Sequence, residues 1–142
     1  MKIQKKIFAG GCALLIACGT LVSVSASSVT SGIYQTVRHN NIPGGGEIHY
    51  DTAYGSKKTD SGSYATFKET YKEAALGNFA MLISKSKAPK SSCDGLILNT
   101  AVLARESGVS KGTVYYSAVA SHKYEPSNSC DVIIKFSADN LK

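Results

Sequence analysis

The chain has 142 residues, 43% of them hydrophobic and 18% charged, with 16 basic against 10 acidic side chains for a formal net charge of +6. That length fits one domain with a modest core rather than two domains. Much of the charge excess sits at the start, in Lys2, Lys5 and Lys6, so no clustered basic face of the kind that nucleic-acid binding requires is expected.

Residues 7–24 carry no charge, follow the three lysines and run into Val24-Ser25-Ala26, a small-residue site of the sort a signal peptidase cuts. The expectation is a signal peptide over residues 1–26 and a secreted, extracellular domain over 27–142. Two alternatives stay open. Leu15-Ile16-Ala17-Cys18-Gly19 resembles a bacterial lipobox, which implies lipidation at Cys18 and a cell-surface lipoprotein, although Leu21-Val22-Ser23-Val24 is apolar where a polar tether is usual. The apolar run is also about as long as the ~18 to 20 residues that cross a bilayer. Cys12 lies too early in that run to be a lipidation site. Without residues 1–26, the remaining 13 basic and 10 acidic residues leave a net charge of +3.

In chain order, Ser- and Thr-rich residues 27–32 read as a flexible leader. Ile33 and Val37 alternate about Gln35 as in a half-buried strand over 33–38. Residues 40–46, with Pro43 and Gly44, Gly45 and Gly46, read as a turn. Residues 47–54 alternate again, with Ile48, Tyr50, Thr52 and Tyr54 on one face and Glu47, His49 and Asp51 on the other, so a β-hairpin about the glycines is expected. Residues 64–76 suit a helix by the spacing of Phe67, Tyr71 and Ala74 or Ala75. A strand is favoured there because β-forming residues dominate 64–71 and both neighbours look like strands. Further strands are expected over 78–85, 96–104, 113–121 and 130–137, with a surface loop over 85–94 and a turn over 123–128.

The fold class that follows is all-β: a small antiparallel β-sandwich or barrel of about seven strands, with one short helix near 65–76 as the variant. Cys93 and Cys130 would be the only cysteines left in an oxidising compartment, and a disulfide between them is expected. It would close a loop of about 38 residues and add ~4 kcal/mol of stability. Cys130 shares the phase of Val132, Ile134 and Phe136, so its sulfur should point inward.

No constellation carries a strong chemical signal. Gly108-Val109-Ser110-Lys111-Gly112 spells a nucleophile elbow, but the fold it belongs to needs a strand-to-helix turn with an acid and then a histidine downstream, and a tight turn is expected instead. His39, His49 and His122 lack metal-ligand spacing, and no cofactor or metal is implied. Glu47 and Asp51 share a face and form the carboxylate pair that, with His49, a small secreted hydrolase would use; solvated side chains are the plainer reading. Gly44 to Gly46 lack the Lys-Ser or Lys-Thr of a phosphate loop. The tyrosines suit sheet packing or a binding face, since each couples an apolar ring to a polar tip. Tyr50, Tyr54, Lys85, Lys87 and Lys90 are the candidate binding surface. Together with Lys57 and Lys58, the three loop lysines suggest a weak patch for teichoic acid or anionic lipid.

A glycine-rich turn, then Ser61-Gly62-Ser63-Tyr64, and a Gly-Thr-Val-Tyr-Tyr strand over 112–116 resemble, at scattered positions, the small secreted β-sandwich bacteriocins of the lactococcin type. The tryptophans of that family are absent. The resemblance implies a non-enzymatic role. The expected function is an exported β-domain of a Gram-positive bacterium that binds at or outside the cell envelope, as an antibacterial, immunity or inhibitor-like protein. Its partner would be an envelope component or another protein, and the protein itself a monomer.

Overall fold

The computed structural model describes residues 28–126 and 128–142. The expected signal peptide, its cleavage site, Cys12 and Cys18 lie outside them, as does Ser127 of the turn expected over 123–128. The described chain is all-β and has nine strands: β1 (Ser28–Ser31), β2 (Gln35–Pro43), β3 (Ile48–Lys57), β4 (Tyr64–Lys72), β5 (Asn78–Ile83), β6 (Asp94–Gly95), β7 (Ala101–Arg105), β8 (Val114–Ser121) and β9 (Ser129–Ser137). They form two sheets, one of five strands in the order β1-β3-β8-β5-β6 and one of four in the order β2-β9-β4-β7. All pairings are antiparallel except β1 with β3.

Between the sheets lies one apolar layer. Val37, Ile42, Phe67, Val132, Ile134 and Phe136 contribute from the four-stranded sheet, and Ala80, Leu82, Tyr115 and Val119 from the five-stranded one. Phe67 and Phe136 are register partners whose rings stack at 6.0 Å, the offset contact that aromatic pairs prefer. The period-two alternation of β9 delivers Cys130, Val132, Ile134 and Phe136 to this layer, all almost fully buried. Segment 64–72 is a strand and no helix occurs among the described residues, because β4 is central and Phe67 must enter the core from a two-residue period.

Several expectations are corrected. Residues 28–31 are an edge strand that pairs with the end of β3 rather than a flexible leader. β2 starts two residues late and continues through 40–43, where a bulge between His39 and Ile42 puts Asn41 at φ 54° and turns Ile42 inward; Ile33 is left 60% exposed. No hairpin joins β2 to β3. β2 pairs with β9 and β3 with β8, so the turn at Gly45 and Gly46, both at positive φ, carries the chain from one sheet to the other. The strand expected over 96–104 is short and marginal: β7 is an edge strand, and Ile97 and Leu98 are exposed.

The expected Cys93–Cys130 disulfide is not formed; both cysteines are free. Cys130 faces the layer between the sheets, whereas Cys93 stands beside Phe79 and Met81 on the opposite surface of the five-stranded sheet. A strand layer thus separates two thiols whose Cα atoms a disulfide would need within about 7 Å.

Candidate functional site

The outer surfaces of the two sheets differ in chemistry. On the four-stranded sheet, the exposed positions of β2 and β9 are mainly polar, with Thr36, Arg38 and Lys135, and Tyr71 of β4 and the half-buried Ile133 lie beside Arg38. On the five-stranded sheet, Met81, Ile83, Tyr116 and Ala118 form a second apolar cluster with Val114 at its margin. Ile48 and Tyr50 from β3 extend it and are 37% and 38% exposed. No strand or helix of the described residues lies over this cluster. β5 and β8 are apolar on both faces, a pattern normally seen where both faces of a sheet are covered.

What overlies the cluster is a tight turn. Ser84 N–H donates to Ala88 O and Lys87 N–H to Ser84 O, both at 2.9 Å, while Ser84 Oγ accepts the Ala88 N–H at 3.1 Å. The turn ends with Lys87 at φ 66°, a conformation that glycine occupies freely and a lysine only with strain. The reward is the placement of two ammonium groups over aromatic faces: Lys85 Nζ is 5.0 Å from the Tyr116 ring centroid and Lys87 Nζ 5.3 Å from that of Tyr50, both inside cation–π range. Lys85 Nζ also donates to Thr52 O at 3.1 Å.

The surface under Tyr116 depends on an irregularity in β3. Pairing with β8 shifts between Asp51 and Ser56, and Asp51 Oδ1 accepts the N–H groups of Ala53 and Tyr54, each at 3.0 Å, which holds the bulge. Gly55 falls inside it, and a Cβ there would lie 2.6 Å from Val114 Cγ1 and 3.2 Å from Tyr116 Cε1. The glycine is required for the close approach of β3 to the two side chains that floor this part of the face.

Two recesses flank the cluster at opposite ends of β8. One, of about 400 Å³, is mainly apolar and is lined by Ile48, Phe79, Met81, Cys93, Ala120 and His122, with Lys123 at its margin. Burial and the neighbouring Asp94 raise the Cys93 thiol above its ordinary pKa. The other, of about 580 Å³, has a mixed surface, more polar than the first, and is lined by residues of the 84–90 and 110–115 segments, including Lys85 and Lys90.

The structure therefore joins Tyr50, Lys85 and Lys87 of the expected binding surface and adds Tyr116, Phe79 and Met81, which sequence reasoning missed. Lys90 contributes to the second recess, and Tyr54 lies at the β1 edge as the register partner of Ser28. Lys58 does not belong to a surface patch. It is buried, with Nζ donating to Ala138 O at 2.7 Å and paired to Asp60 Oδ1 at 2.7 Å and Glu106 Oε1 at 2.8 Å. Burial works against its charge, but the two carboxylates outweigh burial and hold the ammonium above its usual pKa.

The other candidate chemistry is dispersed. His49 does not point to solvent with Glu47. Its Nδ1 lies 3.1 Å from Nδ1 of His39, whose Nε2 lies 3.1 Å from Ser117 Oγ. His39 is fully buried, and desolvation, aided by the adjacent His49, lowers its pKa to about 3. Asp51 is committed to the bulge. His122 packs against Phe79 and Tyr124 with centroids at 6.0 and 5.5 Å. Ser110 sits in the turn between β7 and β8, where its N–H donates to Tyr115 Oη at 2.7 Å. Among the described residues, no group of three or more His, Cys, Asp or Glu is placed to share a metal ion.

No protein-family model matches this sequence, and comparison with curated proteins finds no relative. The functional reading therefore rests on the faces just described.

Proposed function

We propose that the protein is an exported, non-enzymatic β-domain that works by binding a component of the bacterial cell envelope through the outer surface of its five-stranded sheet. The observation that carries this reading is the half-exposed Ile48 and Tyr50 beside the apolar cluster of Met81, Ile83, Tyr116 and Ala118, with Lys85 held over the Tyr116 ring and Lys87 over that of Tyr50. Exposed aromatic groups with cationic neighbours suit recognition, because rings supply contact area at small entropic loss and the charges orient an anionic guest. A strained Lys87 supports the same reading, since strain at an exposed turn is retained where the side chain is used. Antibacterial, immunity and inhibitor-like roles all need such a face.

The experiment is retention of protein, produced from the full coding sequence, on a Gram-positive envelope fraction. Wild type is expected to be retained, and Tyr50→Ser combined with Lys87→Gln to lose at least tenfold in affinity with an unchanged melting temperature. Equal retention of both proteins would remove the sheet face as the binding surface. Because Cys18 and the cleavage site lie outside the described residues, mass spectrometry of the mature N-terminus separates a secreted protein beginning at Ser27 from one lipidated at Cys18.

A further inference from the structure

The recess at the β8 start has an unusual inventory of polar groups. Its polar side chains are Ser84, Lys85, Lys90, Ser110, Thr113 and Tyr115, with Ser86 beside them and Val114 as its apolar wall. Each can donate a hydrogen bond and none is a carboxylate.

The Ser84 and Ser86 hydroxyls bond each other at 2.9 Å, but the lysines retain donor capacity that the protein does not use. Lys85 Nζ spends one of three N–H groups on Thr52 O, and Lys90 Nζ one on Gly108 O at 3.4 Å. Tyr115 Oη accepts the Ser110 N–H, and its own proton is committed to no described residue. Among the described residues, ion pairs engage Arg38 and Lys58 but neither Lys85 nor Lys90. Asp60 and Glu106 are occupied by Lys58, and Asp131 by Arg38.

We propose that this recess is a phosphate subsite, which takes the phosphodiester of a polyol phosphate between Lys85 and Lys90 while the hydroxyls of Ser110 and Thr113 meet the adjoining polyol. The lysines act as point charges on the phosphate oxygens. The volume of about 580 Å³ admits more than one phosphate-bearing unit. Lys85 belongs to both the recess and the aromatic face, so a bound chain would run from the phosphate site across Tyr116. The inference rests on the envelope-binding reading and specifies its ligand chemistry; glycerol phosphate occurs both in soluble wall polymers and in phospholipid headgroups.

Calorimetric titration with poly(glycerol phosphate) and co-sedimentation with phosphatidylglycerol vesicles distinguish those sources. Three full-chain proteins are compared: wild type, Lys85→Gln/Lys90→Gln, and Lys68→Gln/Lys135→Gln, which removes the same charge from the other sheet. Wild type is expected to bind at least one probe, with a tenfold or larger loss in the recess variant, less than threefold in the other, and competition by inorganic phosphate. Binding of the polymer alone assigns a wall polymer, binding of vesicles alone a lipid headgroup, and either supports the subsite. Equal losses in both variants, or binding of neither probe, would overturn it. If neither probe binds while the envelope fraction still retains the wild type, the subsite fails and the binding reading stands; loss of that retention as well removes both.

Discussion

Buried polar groups govern how this protein answers to pH. Burial, aided by His49 whose Nδ1 lies 3.1 Å from that of His39, lowers the His39 pKa to about 3. An unfolded histidine takes its proton near 6.5. Between those values the unfolded chain binds more protons, so stability present above pH 6.5 is lost as pH falls, by as much as about 4 kcal/mol at pH 3. Thermal melts from pH 7 to 4 are expected to show this decline, and a His39→Gln variant a flatter one; a slope that does not change would contradict the assignment. Glu69 acts in the opposite sense. It is fully buried, its Oε1 accepts the Asn78 amide at 2.7 Å, and both its Oε2 and Asn78 Oδ1 lack partners. Burial raises its pKa against the opposing pull of Asn78 and Lys72. A proton on Oε2 would give Asn78 Oδ1 a donor. The ionised form is therefore disfavoured in the fold, and stability falls as pH rises above the unfolded value of about 4.3 toward the raised one. Glu69→Gln should stabilise by about 1 kcal/mol at pH 7 and by nothing below pH 4, as denaturant titration at the two pH values will show. Lys58→Met strands Glu106, whose side chain is 4% exposed, and should remove about 3 to 5 kcal/mol in the same assay. None of these partners was legible in the sequence, because each pairs residues from different sheets or distant loops.

At the scale of elements, alternation was readable and its direction was not. In β3 the sequence groups Ile48 with Tyr50 and opposes His49, as observed, yet the apolar side faces outward and His49 turns in toward His39. Period two assigns residues to faces but does not say which face meets the core when both sides of β5 and β8 are apolar. The continuous apolar character of β8 was the available signal for a second hydrophobic surface. A strand over 78–85 and a plain surface loop over 85–94 were expected where the 84–88 turn forms, and its αL lysine has no sequence signature. Lys87→Gly should raise the melting temperature, through relief of strain worth about 1 kcal/mol, while weakening envelope retention. A gain in stability without loss of retention would show that the strained lysine serves the turn alone.

For the whole molecule, connectivity explains which long-range expectations failed. The chain changes sheets at almost every step from β1 to β9, with β5 and β6 the sequential strands that pair directly. Hairpin logic, which reads adjacent strands as partners, therefore gave the right class and the wrong neighbours. Such non-local pairing requires long loops to close before contacts form, so refolding by stopped-flow fluorescence of the tyrosines is expected in the millisecond-to-second range. With Cys93 and Cys130 separated by the five-stranded sheet, reductant should leave the melting temperature unchanged. The central claim, that the outer surface of the five-stranded sheet is where the protein binds, is tested most directly by amide chemical-shift mapping while a soluble envelope extract is titrated in. Shifts concentrated at 48–54, 79–90 and 113–120 are predicted; shifts concentrated on Thr36, Arg38 and Lys135 of the opposite sheet, with those segments unmoved, would contradict it.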